Sequence, residues 1–329
     1  MRPATISIGV LFLSVLSAGA PAPIGSRVQA QEFPSRTVTI VVPFAAGGDA
    51  DIFGRIFAQR LAPALGRPLV VDNRAGASGN IGAEAVVRAV PDGHTILYAS
   101  SALAVSRAVY TKLSFDAERD LAAVSQTVSI PLVLVVHPAL PARNVKELLT
   151  LARGKPGALT FTGGGTGGLP HLTGELFKLH TRLDALHVPY KGQGLAQTAL
   201  LSGEVQFAFL SPPVVRAYVS GGRLRALGIS VLERSAALPD VPTLHEAGVK
   251  NFEALHWHGF FVPAKTPASV VTRIHVGVVK ALAAPEMKER VTAEGASVVG
   301  SSPAELAAFF RNEAGKWADV ARRSGTKGE

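Results

Sequence analysis

The sequence of 329 residues contains no cysteine. Without cysteine, the chain can form neither a disulfide framework nor thiolate metal ligands, and it has no thiol nucleophile. Charged residues make up only 17% of the chain and apolar residues 47%, a balance that is typical of a folded protein. Beyond residue 30, no stretch approaches the ~18 consecutive apolar residues that a membrane-spanning helix requires. The length is sufficient for one large or two medium-sized domains.

The first 30 residues have the features of a secretory signal peptide. Arg2 supplies a positive charge, and residues 6–16 form an apolar run that is too short to span a bilayer but suits a signal-peptide core. Small residues follow, so we predict cleavage after Ala20 or after Ala30. We therefore predict export to the periplasm. The alternatives are an N-terminal helix and a membrane anchor.

The predicted mature chain keeps a basic excess. Removal of Arg2 and Arg27 leaves 31 basic residues against 24 acidic ones. The basic residues are scattered and form no dense stripe interleaved with aromatic residues, so we expect no nucleic-acid partner. A positive field would instead steer a small anion toward a binding cleft.

Short β-type runs alternate with longer helical patterns. Residues 38–43 and 69–73 are typical of strands, residues 51–65 are typical of a helix, and a second series of this kind begins at residue 132. This alternation predicts an α/β fold with parallel sheets and crossover helices. Two series predict two lobes with a ligand cleft between them. The alternative is a single doubly wound sheet of about 300 residues, which is long for one core.

The first of two glycine-rich loops covers residues 43–51, between the first predicted strand and the first predicted helix. Gly47 and Gly48 allow a sharp turn and a close approach of backbone N–H groups to a ligand. The helix start that follows suits an anion such as a carboxylate, and Asp51 or Asp49 can cap it. The alternative is a tight turn that binds nothing.

The second glycine-rich loop, residues 163–168, precedes a predicted helix that contains His171 and has the same anion-binding character. It also matches the pattern G-x-G-x-x-G. Dinucleotide binding requires an acidic residue at the end of the next strand, but Asp184 precedes that strand. We therefore expect no nucleotide cofactor. Because the two loops lie on different predicted lobes, they predict a carboxylate held between them.

The sequence offers few catalytic or metal-binding patterns. His256 and His258 would share one face of a strand, but zinc needs further ligands that their spacing does not identify. We interpret this segment as an aromatic hinge or cleft wall and expect no metal. His171 and His187 have no evident serine or carboxylate partner, so a structural role is favoured.

Seven segments, spread over almost the whole predicted mature chain, carry a family resemblance. They are residues 33–51 with FPSR at the start, VDNRAGASGNIGAE at 71–84, PDG at 91–93, residues 166–175, HVPYKG at 187–192, GRLRAL at 222–227 and LPDVPT at 238–243. In composition, order and spacing they resemble the Bug/TctC family, the extracytoplasmic receptors of tripartite tricarboxylate transporters.

This resemblance implies a type II periplasmic-binding-protein fold with a Venus-flytrap hinge. Residues 1–30 would be the signal peptide, residues 31–130 plus 255–329 lobe one, and residues 131–254 lobe two. The family implies capture of a small carboxylate or amino-acid-like ligand and delivery to the membrane permease subunits of a tripartite tricarboxylate-type transporter. We expect a monomer that is not an enzyme.

Two alternatives stay open. The first is an exported ligand sensor that works with a signalling partner. The second is an exported α/β hydrolase, whose candidate residues are Ser100, Ser101 and His171.

The expected ligand-binding residues lie in the two loops, in the helix that follows the second loop, directly after a predicted strand at residues 95–99, and in the segment 187–192. They are Phe44, Ala46, Gly47, Gly48, Asp49, Asp51, Ser100, Ser101, Gly164, Gly165, Thr166, Gly167, His171 and Tyr190.

The chain departs from the family pattern at three places. Ala50 stands where relatives commonly have a hydroxyl-bearing residue, and Leu210-Ser211 stands where many carry Asp-Asn. Asp49 adds a negative charge beside the expected anion site. We hypothesise that Asp49 favours a ligand with an ammonium or amide group next to its carboxylate.

Overall fold

The computed structural model describes residues 33–110 and 112–328, together with positions 1, 3–5 and 9. Most of the predicted signal peptide and both predicted cleavage sites therefore lie outside the described residues. Residues 1–32 and 33–329 form two separate units, and the fold below is that of the second. Within the described part of the chain, no helix has both the length and the apolar character needed to cross a membrane.

The first part of the chain builds most of a six-stranded sheet. Its elements are β1 (Val38–Val42), α1 (Asp49–Leu65), β2 (Leu69–Asn73), α2 (Asn80–Val87), β3 (Thr95–Ser100), α3 (Ala102–Val109), α4 (Ala117–Asp120) and β4 (Leu121–Pro131). The C-terminal part adds β10 (Leu255–Pro263), α9 (Ala268–Ala283), α10 (Pro285–Ala293), β11 (Ser297–Val298) and α11 (Pro303–Ser324). The strand order is β11-β4-β10-β3-β1-β2. We call this sheet and its helices lobe one.

The middle of the chain builds a five-stranded sheet, which we call lobe two. Its elements are β5 (Val133–Val136), α5 (Val145–Gly154), β6 (Leu159–Thr162), α6 (Leu169–Thr181), β7 (Ala185–His187), α7 (Gln193–Leu201), β8 (Phe207–Leu210), α8 (Pro212–Ser220) and β9 (Arg225–Ile229). The strand order is β7-β6-β8-β5-β9. The predicted two-lobed α/β architecture is confirmed.

The prediction of purely parallel sheets was wrong, because both sheets are mixed. β1 pairs in parallel with β2 and β3, whereas β10 is antiparallel to β3 and β4. In lobe two, β6 is parallel to β7 and β8, and β5 is antiparallel to β8 and β9. The strands β5 and β10 each enter a sheet directly from the other lobe. They have no crossover helix of the kind that parallel pairing requires.

Local sequence explains where the principal helices begin and end. Asn144 accepts a hydrogen bond from the Glu147 backbone N–H at 2.9 Å and so caps α5. Ser302 and Glu305 form a reciprocal capping box at the start of α11. Helix α1 ends at Gly66, whose φ of 79° favours glycine.

The last helix connects the two lobes. Phe310 of α11 packs in the lobe-one cluster around Trp257. Further along the same helix, Trp317 and Val320 belong to the cluster that contains Phe161 of lobe two. The predicted lobe boundaries at residues 130 and 254 stay a prediction.

Ser230 joins the two chain segments that pass between the lobes. Its backbone N–H donates to the Leu132 carbonyl, and its Oγ accepts from the Leu132 N–H, both at 2.8 Å. The same hydroxyl donates to the Ala254 carbonyl, and the Ala254 N–H donates back to the Ser230 carbonyl. Ser230 is fully buried. One side chain therefore satisfies polar groups on both crossing segments.

Replacement of Ser230 by alanine should destabilise the fold. The Ser230→Ala variant leaves the buried Leu132 N–H without this acceptor, which costs about 1–3 kcal/mol of unfolding free energy. Urea denaturation followed by circular dichroism measures this loss. Ser220→Ala, at an exposed serine at the end of α8, is the control and should change stability by no more than about 0.5 kcal/mol. Equal stability of the two variants would contradict the prediction.

Candidate functional site

Four helices begin around one small cavity between the lobes. The lining includes Gly48 and Asp49 at the start of α1, Ala102 at the start of α3, Leu169 at the start of α6 and Gln193 at the start of α7. The remaining lining residues are Phe44, Ser100, Gly163, Gly164, Gly165, Gly168, Pro170, Gly192 and His256. Helix N-termini carry unsatisfied N–H groups and a partial positive charge. Their convergence creates an anion-binding environment.

The lobes contact each other on both sides of the cavity. The Ala45 N–H of lobe one donates to the Lys191 carbonyl of lobe two at 3.2 Å. Ser78 and Tyr110 of lobe one both donate hydroxyl hydrogen bonds to the Thr166 carbonyl, the second at 3.0 Å. The cavity has a volume of about 20 Å³, which is room for about one water molecule. The structure therefore shows a closed cleft.

Asp49 lies at the centre of a chain of hydrogen bonds that crosses the cleft. Gln193 of lobe two donates from Nε2 to Asp49 Oδ2 at 2.7 Å, and its own Oε1 accepts from the Ser211 N–H at 2.7 Å. Asp49 Oδ2 also lies 3.3 Å from His256 Nε2 and 3.4 Å from His258 Nε2. Ser211 stands where this chain departs from the family pattern. It is linked to Asp49 through Gln193.

Burial and charge oppose each other at this carboxylate. Burial by itself would raise the pKa of Asp49, but the neighbouring imidazoles of His256 and His258 hold it well below its usual value. Burial lowers the pKa of His256, and Asp49 opposes that shift. The Asp49 carboxylate is therefore kept ionised by partners within the protein.

Six of the fourteen expected ligand-binding residues line the cavity. They are Phe44, Gly48, Asp49, Ser100, Gly164 and Gly165. Sequence reasoning missed Gln193, and it assigned His256 to a cleft wall without polar function. The position of Gln193 directly after Gly192, at the start of a helix, was the signal that could have identified it.

The other eight expected residues have contacts beside the cavity rather than in its lining. Asp51 accepts from the Gly47 N–H at 3.0 Å and from Asn73, so it holds the first loop. Ser101 contacts His256 Nδ1 with its hydroxyl at 2.5 Å. The Tyr190 N–H donates to the Gly164 carbonyl at 3.0 Å.

Five residues remain, of which four are Ala46, Gly47, Thr166 and Gly167 and the fifth is His171. Ala46 and Gly47 are exposed. Thr166 uses its carbonyl to join the lobes, and the Gly167 N–H donates to a ring nitrogen of His171.

His171 and His187 form a buried stack below the second loop. Their ring centroids are 3.6 Å apart, and His171 Nε2 lies 3.6 Å from a Glu175 oxygen. Burial lowers the pKa of His171, and burial together with the positive charges of His171 and Lys178 lowers the pKa of His187 to about 2. The stack supports the loop backbone with neutral imidazoles.

A larger groove of about 590 Å³ lies on the outside of lobe one, between α3 and α11. Two of its charged residues, Arg107 and Asp116, pair with each other at 2.6 Å. It lacks the converging helix starts of the cleft, so the cleft is the stronger candidate site.

The fold and the cleft define a two-lobed solute-binding protein. Residues 53–325 match the model of the tripartite tricarboxylate transporter family receptors, and the chain belongs to this family. It is 34% identical to the protein BugT of Bordetella pertussis over 97% of this chain and 98% of that one.

Solved structures show the same architecture. The periplasmic binding protein BugD is 31% identical, with a TM-score of 0.86 over 90% of this chain and 99% of that one. Rpa4515 of R. palustris, solved with adipate, is 32% identical with a TM-score of 0.87 over the same shares. MatC from Rhodopseudomonas palustris, solved with malate, is 31% identical with a TM-score of 0.84 over 88% and 99%.

A methyl group at Gly165 should oppose closure of the cleft. A Cβ at this position would lie 2.4 Å from Ser78 Oγ of the other lobe, a clash that costs about 1–3 kcal/mol and is present only when the lobes are closed. We expect Gly165→Ala to increase the radius of gyration measured by small-angle X-ray scattering.

Two further variants test the cause of that increase. Adding Ser78→Gly to Gly165→Ala removes the clashing side chain and should restore closure. Gly315→Ala places a methyl group where nothing lies within 4 Å and should behave as the wild type. An unchanged radius in Gly165→Ala would contradict the proposed clash.

Acid should destabilise the protein through His171 and His187. Both imidazoles have pKa values below the ordinary 6.5, so the unfolded chain binds more protons than the native state below about pH 6.5. Stability therefore falls as the pH decreases, by up to about 1.4 kcal/mol per pH unit for each group. Urea titrations between pH 7 and pH 5 measure this slope.

The variant His187→Asn removes one of the two titrating imidazoles and should make the dependence of stability on pH shallower. His180→Asn changes an exposed histidine and should leave the slope as in the wild type. If His187→Asn kept the wild-type slope, the stack would not be the cause.

Proposed function

We propose that the protein is a periplasmic receptor that binds a small dicarboxylate or hydroxycarboxylate between its lobes and passes it to the permease subunits of a tripartite transporter. The observation that carries this proposal is the convergence of four helix starts on one interlobe cavity. A carboxylate there would meet backbone N–H groups and four partial positive charges.

The size of the cavity supports a mechanism in which the lobes move. A volume of about 20 Å³ cannot hold a dicarboxylate, so the lobes must separate to admit the ligand and then close less tightly around it. The crossing segments at Leu132, Ser230 and Ala254 are the natural hinge, because they are the direct connections between the two sheets. Hinged closure around a ligand is a common transition in two-lobed proteins.

The ligand class is supported by the related structures. Rpa4515 was solved with adipate and MatC with malate, and both ligands carry two carboxylates. Both proteins share the fold of this chain, and this chain brings helix starts from both lobes to its cleft. A ligand with a carboxylate at each end would contact both lobes and stabilise the closed state.

Family membership and the N-terminal sequence support export and delivery to a permease. The apolar run at residues 6–16 after Arg2 supports a signal peptide, and BugD is a periplasmic protein of the same fold. We expect a monomer that is not an enzyme and has permease subunits as partners. A sensor role with a signalling partner would use the same binding step.

The hydrolase candidates do not pair as a serine with a histidine base at the cavity. Ser100 lines the cavity, but its hydroxyl accepts a hydrogen bond from the Ala102 N–H at 3.3 Å. His171 lies in the buried stack with His187, and the histidine that contacts Ser101 is His256. Ser101 is only 1% exposed and is not among the residues that line the cavity. A substrate in the cleft would therefore not reach its hydroxyl.

Isothermal titration of the mature protein tests the ligand class. We expect adipate, succinate or malate to bind with one site per chain, and adipamide, the neutral diamide, to bind at least tenfold more weakly because it lacks the charge that the helix starts attract. Native mass spectrometry of the freshly purified protein should show a bound carboxylate. Binding of adipamide as tightly as adipate, or ester turnover that is lost in Ser101→Ala, would overturn the proposal.

A further inference from the structure

Three buried side chains of metal-binding type meet at the cleft. Asp49 Oδ2 lies 3.3 Å from His256 Nε2 and 3.4 Å from His258 Nε2. One ligand atom from each residue lies within 4.8 Å of the other two, and all three residues are at most 4% exposed. Asp49 and His256 line the ligand cavity. The antiparallel strand β10 brings the histidines to the start of α1, about 200 residues away in the chain.

The distances match those between ligands of one metal ion. In a tetrahedral zinc site, bonds of about 2.0–2.1 Å place neighbouring ligand atoms about 3.3–3.4 Å apart. Both distances from Asp49 lie in this range. Two of the three distances between ligand atoms therefore fit one shared ion, and the distance between the two histidine nitrogens is within 4.8 Å.

His258 provides a second, independent indication. It is fully buried. Within the part of the chain that the structure describes, its Nδ1 has no hydrogen-bond partner, and its Nε2 makes only the long 3.4 Å contact with Asp49 Oδ2. Its ring stacks on Tyr98 at 5.3 Å and lies 6.1 Å from Phe53. A buried polar atom without a close partner is costly, and a metal ion bound to Nε2 would give that nitrogen one.

The surroundings orient the other two ligands. Ser101 Oγ lies 2.5 Å from His256 Nδ1. When Nδ1 carries the proton and donates to Ser101, the lone pair of Nε2 points toward Asp49. The Ala50 N–H holds the second oxygen of Asp49 at 2.8 Å. Outer contacts of this kind fix the tautomer and the direction of metal ligands.

A cation would also resolve a conflict of charge. The proposed ligand is a carboxylate, and the carboxyl group of Asp49 lines the same cavity. Two like charges about 4 Å apart repel by about 4 kcal/mol at an effective dielectric constant of 20. A divalent cation between them would turn this repulsion into attraction. The earlier expectation of a ligand ammonium beside Asp49 stays a prediction and offers a competing source of positive charge.

We propose that Asp49, His256 and His258 bind one divalent transition-metal ion, such as Zn²⁺ or Co²⁺, whose open coordination position faces the ligand cavity. Two imidazoles and one carboxylate suit these ions better than Mg²⁺ or Ca²⁺, which prefer oxygen ligands. A carboxylate oxygen of the ligand completes the coordination. This last step rests on the proposed function, whereas the three protein ligands do not.

Metal titration of the untagged mature protein is the first test. The protein is stripped with a chelator, and Zn²⁺ binding is measured by calorimetry and native mass spectrometry. We expect one ion per chain. Co²⁺ should give the intense visible absorption of a four-coordinate ion, a readout that needs no variant. Failure of both ions to bind at one equivalent would overturn the proposal.

Variants then assign the site. His258→Asn and Asp49→Asn should each weaken Zn²⁺ binding by at least about tenfold, and Ser101→Ala by roughly 10- to 100-fold, as for outer-contact residues elsewhere. His180→Asn, at an exposed histidine, is the matched control and should bind as the wild type. Circular dichroism confirms folding of each variant. Unchanged affinity in a folded His258→Asn variant would overturn the assignment.

The open position is tested with malate and adipate as probes. We expect either ligand to bind at least tenfold more tightly to the Zn²⁺-loaded protein than to the stripped protein, and to change the Co²⁺ spectrum. Equal affinity with and without metal, together with an unchanged spectrum, would overturn the open position. Absence of carboxylate binding in both states would instead contradict the proposed function, because the metal titration does not depend on it.

Discussion

The buried carboxylate of Asp49 is the constraint on which the cleft depends. An ionised group removed from water is stable only with close compensation, and Asp49 obtains it from Gln193 of lobe two and from His256 and His258 of lobe one. The compensation therefore exists in full only when the lobes are closed. Opening of the cleft removes the Gln193 contact. The stabilisation of the Asp49 carboxylate is therefore coupled to the movement of the lobes.

The helix starts and Asp49 have opposite electrostatic effects in the same small volume. The N-termini of α1, α3, α6 and α7 attract an anion, whereas the carboxylate of Asp49 repels one. Histidine protons, a ligand ammonium or a divalent cation would each balance the charges, and each selects a different ligand. The positive partner of Asp49 therefore bears directly on which ligand the cleft would prefer.

Local patterns predicted the elements that carry a strong local signal. The strand at residues 38–43, the helix at residues 51–65 and both glycine-rich loops appear close to their expected places. The strand β4 and the helix α3 were not expected, since their apolar and polar residues follow no clear period over enough positions. The antiparallel insertion of β5 and β10 was also missed, because pairing direction depends on how the chain passes between the lobes.

The sequence by itself determined the signal-peptide-like pattern at the N-terminus, the two α/β series, the glycine-rich helix starts and the family. Each of these depends on residues that are close together in the chain. Only the tertiary structure decided which side chains share the cleft. Gln193 is 144 positions from Asp49, and His256 and His258 come from a strand near the other end of the chain. No local sequence pattern predicts contacts between residues so far apart in the chain, because these contacts form only when the two sheets pack around a hinge. The stack of His171 on His187 also joins two segments whose sequences do not predict that contact, and a ligand contact of His171 stays a prediction.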